Sequence, residues 1–345
     1  MESNRHESDL PLVGRLLLQV ITSRDARILT VFRCSLMNPE LTLKTTAVIL
    51  NWNCHEMTAE CIRSLLAMDA QNLEILLVDN GSSDGSAEIL SRAFPQITVL
   101  PQERNLGFAA GCNVGMRHAL ANDAAYVLLL NNDTFVASDF IREMLAAIES
   151  DPRIGAVCPK IFFTDRPNLL WYAGADFSPW TGTSKHRGWK EVDQGQFDDY
   201  REITQATGCA MLVRCSAVRA VGLLDEQFWA YAEDLDWSVR FLRRRYLLAF
   251  APKAHVWHYD GATSVKSMGA GSQAIRQFFS TRNMVLVARK HLRWWQIPSY
   301  MLGFGITHIL LYTALRLWRC DFPALLAIYK GLAQGLRAPL IETAQ

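Results

Sequence analysis

Apolar runs alternate with amphipathic stretches from residue 45 to about residue 160. Thr46–Trp52 (TAVILNW) is apolar until its polar end, the pattern of a strand covered on both faces. Behind it Met57, Cys61, Leu65 and Leu66 recur at helical spacing. Leu73–Asp79 (LEILLVD) predicts a second buried strand, and the composition of Asn80–Ser83 predicts a turn. Ser86–Ala93 fits a short helix and Ile97–Leu100 a short strand. Phe108–Ala121 reads as a helix even though Gly111 and Gly115 weaken its propensity. Ala125–Leu130 is a third apolar strand, and Asp139–Glu149 is a helix.

This order predicts an α/β fold: a Rossmann-like, mostly parallel sheet with helices on both faces. Such sheets bind ligands at the carboxyl ends of their strands. Asn51–Asn53, Asp79–Ser83 and Asn131–Asp133 all fall just past strand ends, along an edge where a nucleotide could lie. Beyond residue 160 the alternation stops. Leu169–Gln205 reads as an irregular insert, with Trp171, Trp180 and Trp189 among Gly, Pro and charged residues. Such rings either stack on sugar faces or anchor a loop. Thr207–Val213 resumes as a strand, Glu233–Arg245 as a helix and Leu247–Val256 as a strand.

Charge divides the chain more clearly than composition does. Of 345 residues half are hydrophobic and the net charge is +1, which favours a buried core and gives no reason to expect nucleic-acid binding. From Lys266 onward there are 10 basic residues against two acids, Asp321 and Glu342, whereas the first 265 residues hold 25 basic and 32 acidic. A basic, aromatic tail suits an anionic membrane surface, or else packs as a helical hairpin on the body. The expected organisation is therefore an extension over 1–44 with no readable role, a catalytic domain over 45–265, and a basic, apolar tail of amphipathic helices over 266–345. Eight scattered cysteines form neither a zinc pattern nor a disulfide framework, and read as reduced core residues of a cytosolic protein. Leu10–Ile21 is short, preceded by acids and interrupted by Arg15 and Gln19, so it does not read as a secretory signal.

Three clusters could do chemistry. In Asn131-Asn132-Asp133 one carboxylate supplies a hard oxygen that, with phosphates and water, suits Mg²⁺ or Mn²⁺. Glu233-Asp234-Leu235-Asp236 opens a helix, where acids favour the dipole. Three acids behind Phe228-Trp229-Ala230-Tyr231 exceed that need, and apolar surroundings would raise a carboxylate's proton affinity, as a general base requires. His258 lies past the last strand, while His255 falls on the opposite side of it by alternation.

These segments together resemble family 2 glycosyltransferases of the GT-A fold, and among them rhamnosyltransferase-like members. The likeness is carried by VILNWN (48–53), LVDNGSSDGS (77–86), NLGFAAGCNVG (105–115), LLLNNDT (128–134), TGCAMLVR (207–214), DEQFWAYAEDLDWSVRFLRR (225–244) and HVWHYDGATS (255–264). The resemblance implies an inverting, metal-dependent hexosyltransferase taking a sugar, rhamnose as the first choice, from a nucleotide diphosphate donor to a hydroxyl of a lipid-linked or cell-envelope glycan. It implies that Asp234, paired with Glu233, is catalytic and deprotonates the acceptor. Asp79 would bind the pyrimidine beside Asn51 and Asn53, and Asn105, Gly107, Asn113 and Asn132 would line the rest of the donor. Asp133 and His258 would hold Mg²⁺ or Mn²⁺, and Gly208, Trp229 and Trp171 would face the acceptor. The family's usual DxD begins here with Asn131, which leaves one certain carboxylate at the metal.

Two rivals differ in kind. A nucleotidyltransferase needs a Gly-rich, basic loop near its first strand, which Asn51-Trp52-Asn53-Cys54 lacks. An inactive sugar-binding or scaffold protein would have no need of Asp133, Asp234 and His258 together. Trp294–Leu315 carries no formal charge, is interrupted by Pro298, Gly303 and Gly305, and has basic residues on both flanks. That symmetry favours a segment lying in the membrane interface over a span, and a protein peripheral on the cytoplasmic face.

Overall fold

The computed structural model describes residues 43–68, 70–199, 201–259 and 272–340. Residues 1–42 of the extension, with Leu10–Ile21 and Cys34, lie outside the described residues, as do residues 260–271, which include the end of the last motif, and Glu342.

The first half builds a parallel sheet. Strand β1 (Thr45–Asn51) leads through helix α1 (His55–Leu66) to β2 (Leu73–Asp79), then α2 (Ser86–Ala93), β3 (Thr98–Pro101), α3 (Phe108–Ala121) and β4 (Tyr126–Asn131). β1 pairs in parallel with β2 and with β4, and β2 with β3. A short β5 (Thr134–Val136) and α4 (Phe140–Glu149) precede β6 (Ile154–Phe163). Four short strands follow: β7 (Leu170–Tyr172), β8 (Ala175–Ser178), β9 (Thr183–His186) and β10 (Arg201–Ile203). The body closes with β11 (Ala210–Arg214), α5 (Cys215–Val221), a 3₁₀ turn at Glu226–Phe228, α6 (Glu233–Arg243) and β12 (Leu247–His258). The main sheet runs β10-β12-β6-β11-β4-β1-β2-β3, with β11 antiparallel to β4 and β6, and β12 parallel to β6.

The central strands are covered on both faces, as their unbroken apolar runs require: all ten residues of β6 are buried. The two glycines of α3 are explained by contact. A Cβ at Gly115 would collide with Val48 Cγ1, and one at Gly111 with Leu50 Cδ1, so the missing side chains let the helix lie close on β1.

Three expectations are corrected, and one strand, β6, has no counterpart among them. On α1 the buried face is Thr58, Cys61, Ile62 and Leu65, with Leu66 exposed and Met57 half-buried. The strand expected from Thr207 starts at Ala210, because Thr207–Cys209 form a wall of the cleft described below. β6 was hidden by Pro159 and Lys160; the lysine is buried because Asp193 and Asp198 neutralise it, at 2.9 and 2.5 Å. The insert over 169–205 is not irregular throughout, since β8 and β9 form an antiparallel ribbon and β10 extends the main sheet beside β12. Strands of three or four residues are too short to display a period of two. Among the described residues six cysteines are buried and Cys320 is exposed. Burial pushes Cys61 up to about 12 and Cys215 to about 11, so both stay protonated.

In the tail, α7 (Ser272–His291) packs against α10 (Phe322–Arg337), which approaches it closely at Gly331 and Gly335. A buried charge cluster ties α7 to α6. Asp236, fully buried, accepts from Arg240 (2.8 Å), Lys290 (2.7 Å) and His291 (2.7 Å), and Lys290 also reaches Asp225 at 2.5 Å. Burial alone would raise the Asp236 carboxyl; His291, Arg240 and Lys290 overcome it and hold it well below the usual range.

Between these helices, α8 (Ile297–Phe304) continues through a π-helical turn (Gly305–Leu310) into α9 (Leu311–Trp318). This 22-residue helix is long and apolar enough to cross a membrane, and only 11% of its most apolar window is buried, unlike a core helix. Trp294, Leu302, Leu310, Leu311, Trp318 and Phe322 are all exposed around it.

Candidate functional site

A cleft of about 360 Å³ opens at the carboxyl ends of the central strands. Its lining comes from segments far apart in sequence, including Asn131–Asp133, Thr207–Cys209, Trp229–Tyr231, Glu233, Asp234, Trp171 and His258. The carboxyl groups at positions 133 and 234 therefore share one cavity.

The position of Asp133 follows from strand pairing. β4 ends at Asn131, and the chain turns into β5, which runs antiparallel to the end of β12 with His258 opposite Thr134. That register sets His258 Nε2 3.3 Å from Asp133 Oδ1, and Tyr259 N donates to the Asp133 carbonyl at 2.9 Å. Both side chains are buried. Burial opposes charge on the His258 ring, but Cys209 and Asp133 outweigh it and raise its pKa well above the usual value. One carboxylate and one imidazole facing a cleft fit a divalent cation. Among the described residues no group of three or more His, Cys, Asp or Glu forms a closed cage, so donor oxygens and water would have to complete such a sphere.

The acid pair at the start of α6 lines the same cleft. Asp234 Oδ2 accepts from Gly208 N (3.0 Å) and Oδ1 from Leu235 N (2.8 Å), which orients the carboxylate. Glu233 is buried, and its Oε2 has no hydrogen-bond partner among the described residues. Burial, and then the Asp234 charge beside it, raise the Glu233 carboxyl well above its ordinary value. Burial also raises Asp234, while the backbone N–H bonds lower it. The two backbone N–H groups favour charge on Asp234, while Glu233 Oε2 has no such donor, so the pair holds a proton more firmly at Glu233.

The loop before this pair is strained. Trp229 has φ 60° and ψ −63°, in a γ-turn closed by Ala230 N on the Phe228 carbonyl at 2.7 Å. Tyr231 (φ 69°) and Ala232 (φ 62°) are also left-handed. Each such residue costs roughly 1–3 kcal/mol and persists only where its surroundings impose it. Gly107 is one such imposition: its φ is +85°, and a Cβ there would lie 2.6 Å from the Trp229 ring.

The donor residues expected from the sequence divide into two sets. Asn105, Gly107 and Asn132 line the cleft, although the Asn132 amide is turned onto Thr58 Oγ1 at 2.9 Å. Asn51, Asn53, Asp79 and Asn113 do not line it. Asp79 is buried, its oxygens accepting from Asn51 Nδ2 (2.8 Å), Ser82 Oγ (2.6 Å) and Ser82 N (3.1 Å). Asn53 Oδ1 accepts from Ser83 N at 2.7 Å, so this group orders the β1 and β2 ends against each other. Asn113 spends its amide on Leu224 and Glu226, joining α3 to the 3₁₀ turn. On the acceptor side Gly208, Trp229 and Trp171 all reach the cleft, with Trp171 packed edge-on to His258 at 4.9 Å. Trp180 and Trp189 are exposed and line no part of it.

Sequence reasoning missed Asn80, Tyr231 and Arg276 as lining residues. Asn80 bonds Asn105 Oδ1 (3.0 Å) and the Gly107 carbonyl, a pairing of two strand-end asparagines that its place after β2 could have signalled. Arg276 belongs to the tail, and no spacing in the sequence ties it to the catalytic motifs.

Comparison with known proteins agrees with this geometry. The sequence model of Glycosyl transferase family 2 matches residues 46–222. An N-acetylglucosaminyl-diphospho-decaprenol L-rhamnosyltransferase of Mycobacterium tuberculosis is 25% identical, over 69% of this chain and 81% of its own length. A dTDP-rhamnosyl transferase of Shigella flexneri is 23% identical, over 71% and 80%. A mannosyltransferase from Pyrobaculum calidifontis, solved with GDP-Man and Mn²⁺, superposes with a TM-score of 0.52 at 14% identity, over 90% of this chain and 94% of that one. GalNAc-T7, solved with UDP, GalNAc and Mn²⁺, gives 0.52 at 15% identity over 70% of this chain, which spans about half (51%) of that one. These two likenesses are of fold, the GT-A architecture of a mostly parallel sheet.

The Glu233 proton has a consequence for stability. The unfolded chain releases it near pH 4.5, the ordinary value, whereas the folded chain holds it to higher pH. The stability it contributes is full below the unfolded value and falls as pH rises towards the folded one. Glu233→Gln keeps the shape without titrating. Its melting temperature relative to the unsubstituted protein is expected to rise as the pH is raised above the ordinary carboxyl range. A difference that stays flat above that range would rule out a buried, protonated carboxyl.

Proposed function

Because this chain belongs to glycosyl transferase family 2, we propose that it is an inverting, divalent-metal-dependent hexosyltransferase carrying rhamnose from a nucleotide diphosphate donor to a hydroxyl of a lipid-linked, cell-envelope glycan. The observation that carries the reading is the single cleft joining the Asp133–His258 pair to the Asp234 anion. Its rhamnose and lipid-linked elements rest on the names of the Mycobacterium tuberculosis and Shigella flexneri relatives. An inactive binding protein would have no use for an oriented carboxylate beside a protonated one.

In this reading Asp234 takes the proton of the acceptor hydroxyl. The freed oxygen forms a bond to the anomeric carbon as the bond to the diphosphate oxygen breaks, and the nucleoside diphosphate leaves with the electron pair. One displacement from the opposite side inverts the anomeric carbon. A Mg²⁺ or Mn²⁺ ion held by Asp133 and His258 would neutralise charge on the departing diphosphate. Asn105 and Gly107 border the donor, and Trp229 and Trp171 give the cleft an apolar wall that excludes water from the sugar. Glu233 keeps Asp234 company as a neutral acid, so a single negative charge faces the acceptor.

The tail reads as a membrane-surface anchor, peripheral on the inner face of the cytoplasmic membrane. The exposed apolar residues from Trp294 to Phe322 would sit among acyl chains, with Arg293 and Arg319 at the headgroups. Docking of this kind would bring a lipid-linked acceptor to the cleft.

With dTDP-rhamnose, Mn²⁺ and a polyprenyl-diphosphate-linked sugar, Asp234→Asn is expected to lower kcat by about 10²–10⁴-fold with little change in donor KM. Asp133→Ala should remove the response to Mn²⁺ while the fold persists. Full turnover in either variant would remove that residue's role. The anchor is tested by flotation with phosphatidylglycerol vesicles: the protein should float at low salt, and Trp294→Asp with Trp318→Asp should leave it in the soluble fraction. Equal flotation of the double variant would dismiss this face as the anchor.

A further inference from the structure

The strained loop from Gln227 to Ala232 is held from outside by the tail helix α7. Asn283 on α7 is fully buried. Its Nδ2 lies 2.8 Å from the Phe228 carbonyl, 2.8 Å from that of Ala230 and 2.6 Å from that of Tyr231. The amide cannot turn over, because its Oδ1 accepts from Arg282 Nη1 at 2.7 Å. The same guanidinium donates to the Gln227 carbonyl at 2.8 Å, and Ala109 N takes the remaining one, that of Trp229, at 3.0 Å. Five consecutive carbonyls, 227 to 231, are thus held from other elements, four of them by two adjacent residues of α7. Phe279, one turn earlier, stacks on the Trp229 ring at 4.8 Å and 12°.

The loop's internal hydrogen bond, from Ala230 N to the Phe228 carbonyl, closes the turn at Trp229 but leaves the left-handed Tyr231 and Ala232 to be imposed from outside. The loop contains no glycine, yet three of its residues are left-handed, and a buried carbonyl without a partner is costly. The two amide protons of Asn283 are shared among three carbonyls that would otherwise repel one another. Directly after the loop come Glu233 and Asp234.

We propose that Asn283 is a positioning residue for the acid pair: by gathering the carbonyls of Phe228, Ala230 and Tyr231 it sets the loop that aims Glu233 and Asp234 into the cleft. The inference rests on the proposed transferase reading for its catalytic consequence, though not for the clamp itself. It makes the tail part of the active-site scaffold. Removing Asn283 would then act on turnover, while the hydrogen bonds that build the donor side among Asn80, Asn105 and Gly107 do not involve the loop.

The test compares Asn283→Asp, which keeps the size but turns an oxygen towards the carbonyls, with the unsubstituted protein. Asn283→Ser, a smaller group with one proton to donate, carries the same comparison should Asn283→Asp fail to fold. Two readouts are taken on the full chain: hydrogen exchange of the amides from 228 to 236, and kcat and donor KM with dTDP-rhamnose and Mn²⁺. The expected result is exchange at least about tenfold faster in that segment alone. It comes with kcat lower by at least about tenfold and donor KM within about twofold. Unchanged exchange would overturn the clamp. Faster exchange with unchanged kcat, or a change confined to KM, would overturn its role in positioning. Absence of transfer by the unsubstituted protein would refute the functional reading instead, and the exchange result would then decide the clamp by itself.

Discussion

Negative charge on side chains withdrawn from solvent along one cleft is the constraint on which this structure turns. Asp133, Glu233 and Asp234 all line it, and a carboxylate there must be matched by a cation, by hydrogen-bond donors or by its own proton. Each of the three meets the condition differently. Asp133 faces His258, Asp234 is held by two backbone N–H groups, and Glu233 keeps its proton. The result is an asymmetric cleft, in which a carboxylate paired with an imidazole shares one cavity with a carboxylate held by backbone N–H groups. The proposed transfer, with its departing diphosphate and incoming hydroxyl, uses that asymmetry.

The same constraint accounts for the architecture around the site. Neither side could be built by one segment. Asp133 meets His258 only because β12 runs far enough to pair with β5, and Asp234 meets Gly208 only because β11 starts late and leaves Thr207–Cys209 free to line the cleft. The acid pair in turn depends on a loop whose carbonyls are fastened to α7, and α7 is tied to the body by the buried Asp236 cluster. Tail and catalytic domain therefore share one scaffold. The apolar face beyond α7 extends from the helix that braces the site, which joins the proposed anchoring of the protein to the aim of its acids.

What could be read in the sequence was whatever a local pattern expresses. The parallel half was legible because its strands are long, apolar and followed by polar turns; Leu73–Asp79, Ser86–Ala93 and Phe108–Ala121 match the structure residue for residue. The strand-end clusters and the acid pair were legible because chemistry concentrates there. Long-range compensation was not. Lys160 breaks an apolar run and looks like a surface residue until Asp193 and Asp198 fold over it. Asn51, Asp79 and Asn113 look like ligand-binding residues, and nothing local reveals that each is committed to a neighbouring segment. Asn283 sits in a helix that periodicity marks only as apolar and basic, yet its amide reaches back more than fifty positions.

The account stands on a cation and a base facing one another within one cavity. Its most direct test is the anomalous scattering of manganese in crystals soaked with Mn²⁺ and dTDP. A peak between the Asp133 carboxylate and the His258 ring, touching the diphosphate and looking across the cleft towards Asp234, is the predicted result. A manganese peak elsewhere in the molecule, or a diphosphate bound outside this cleft, would contradict it.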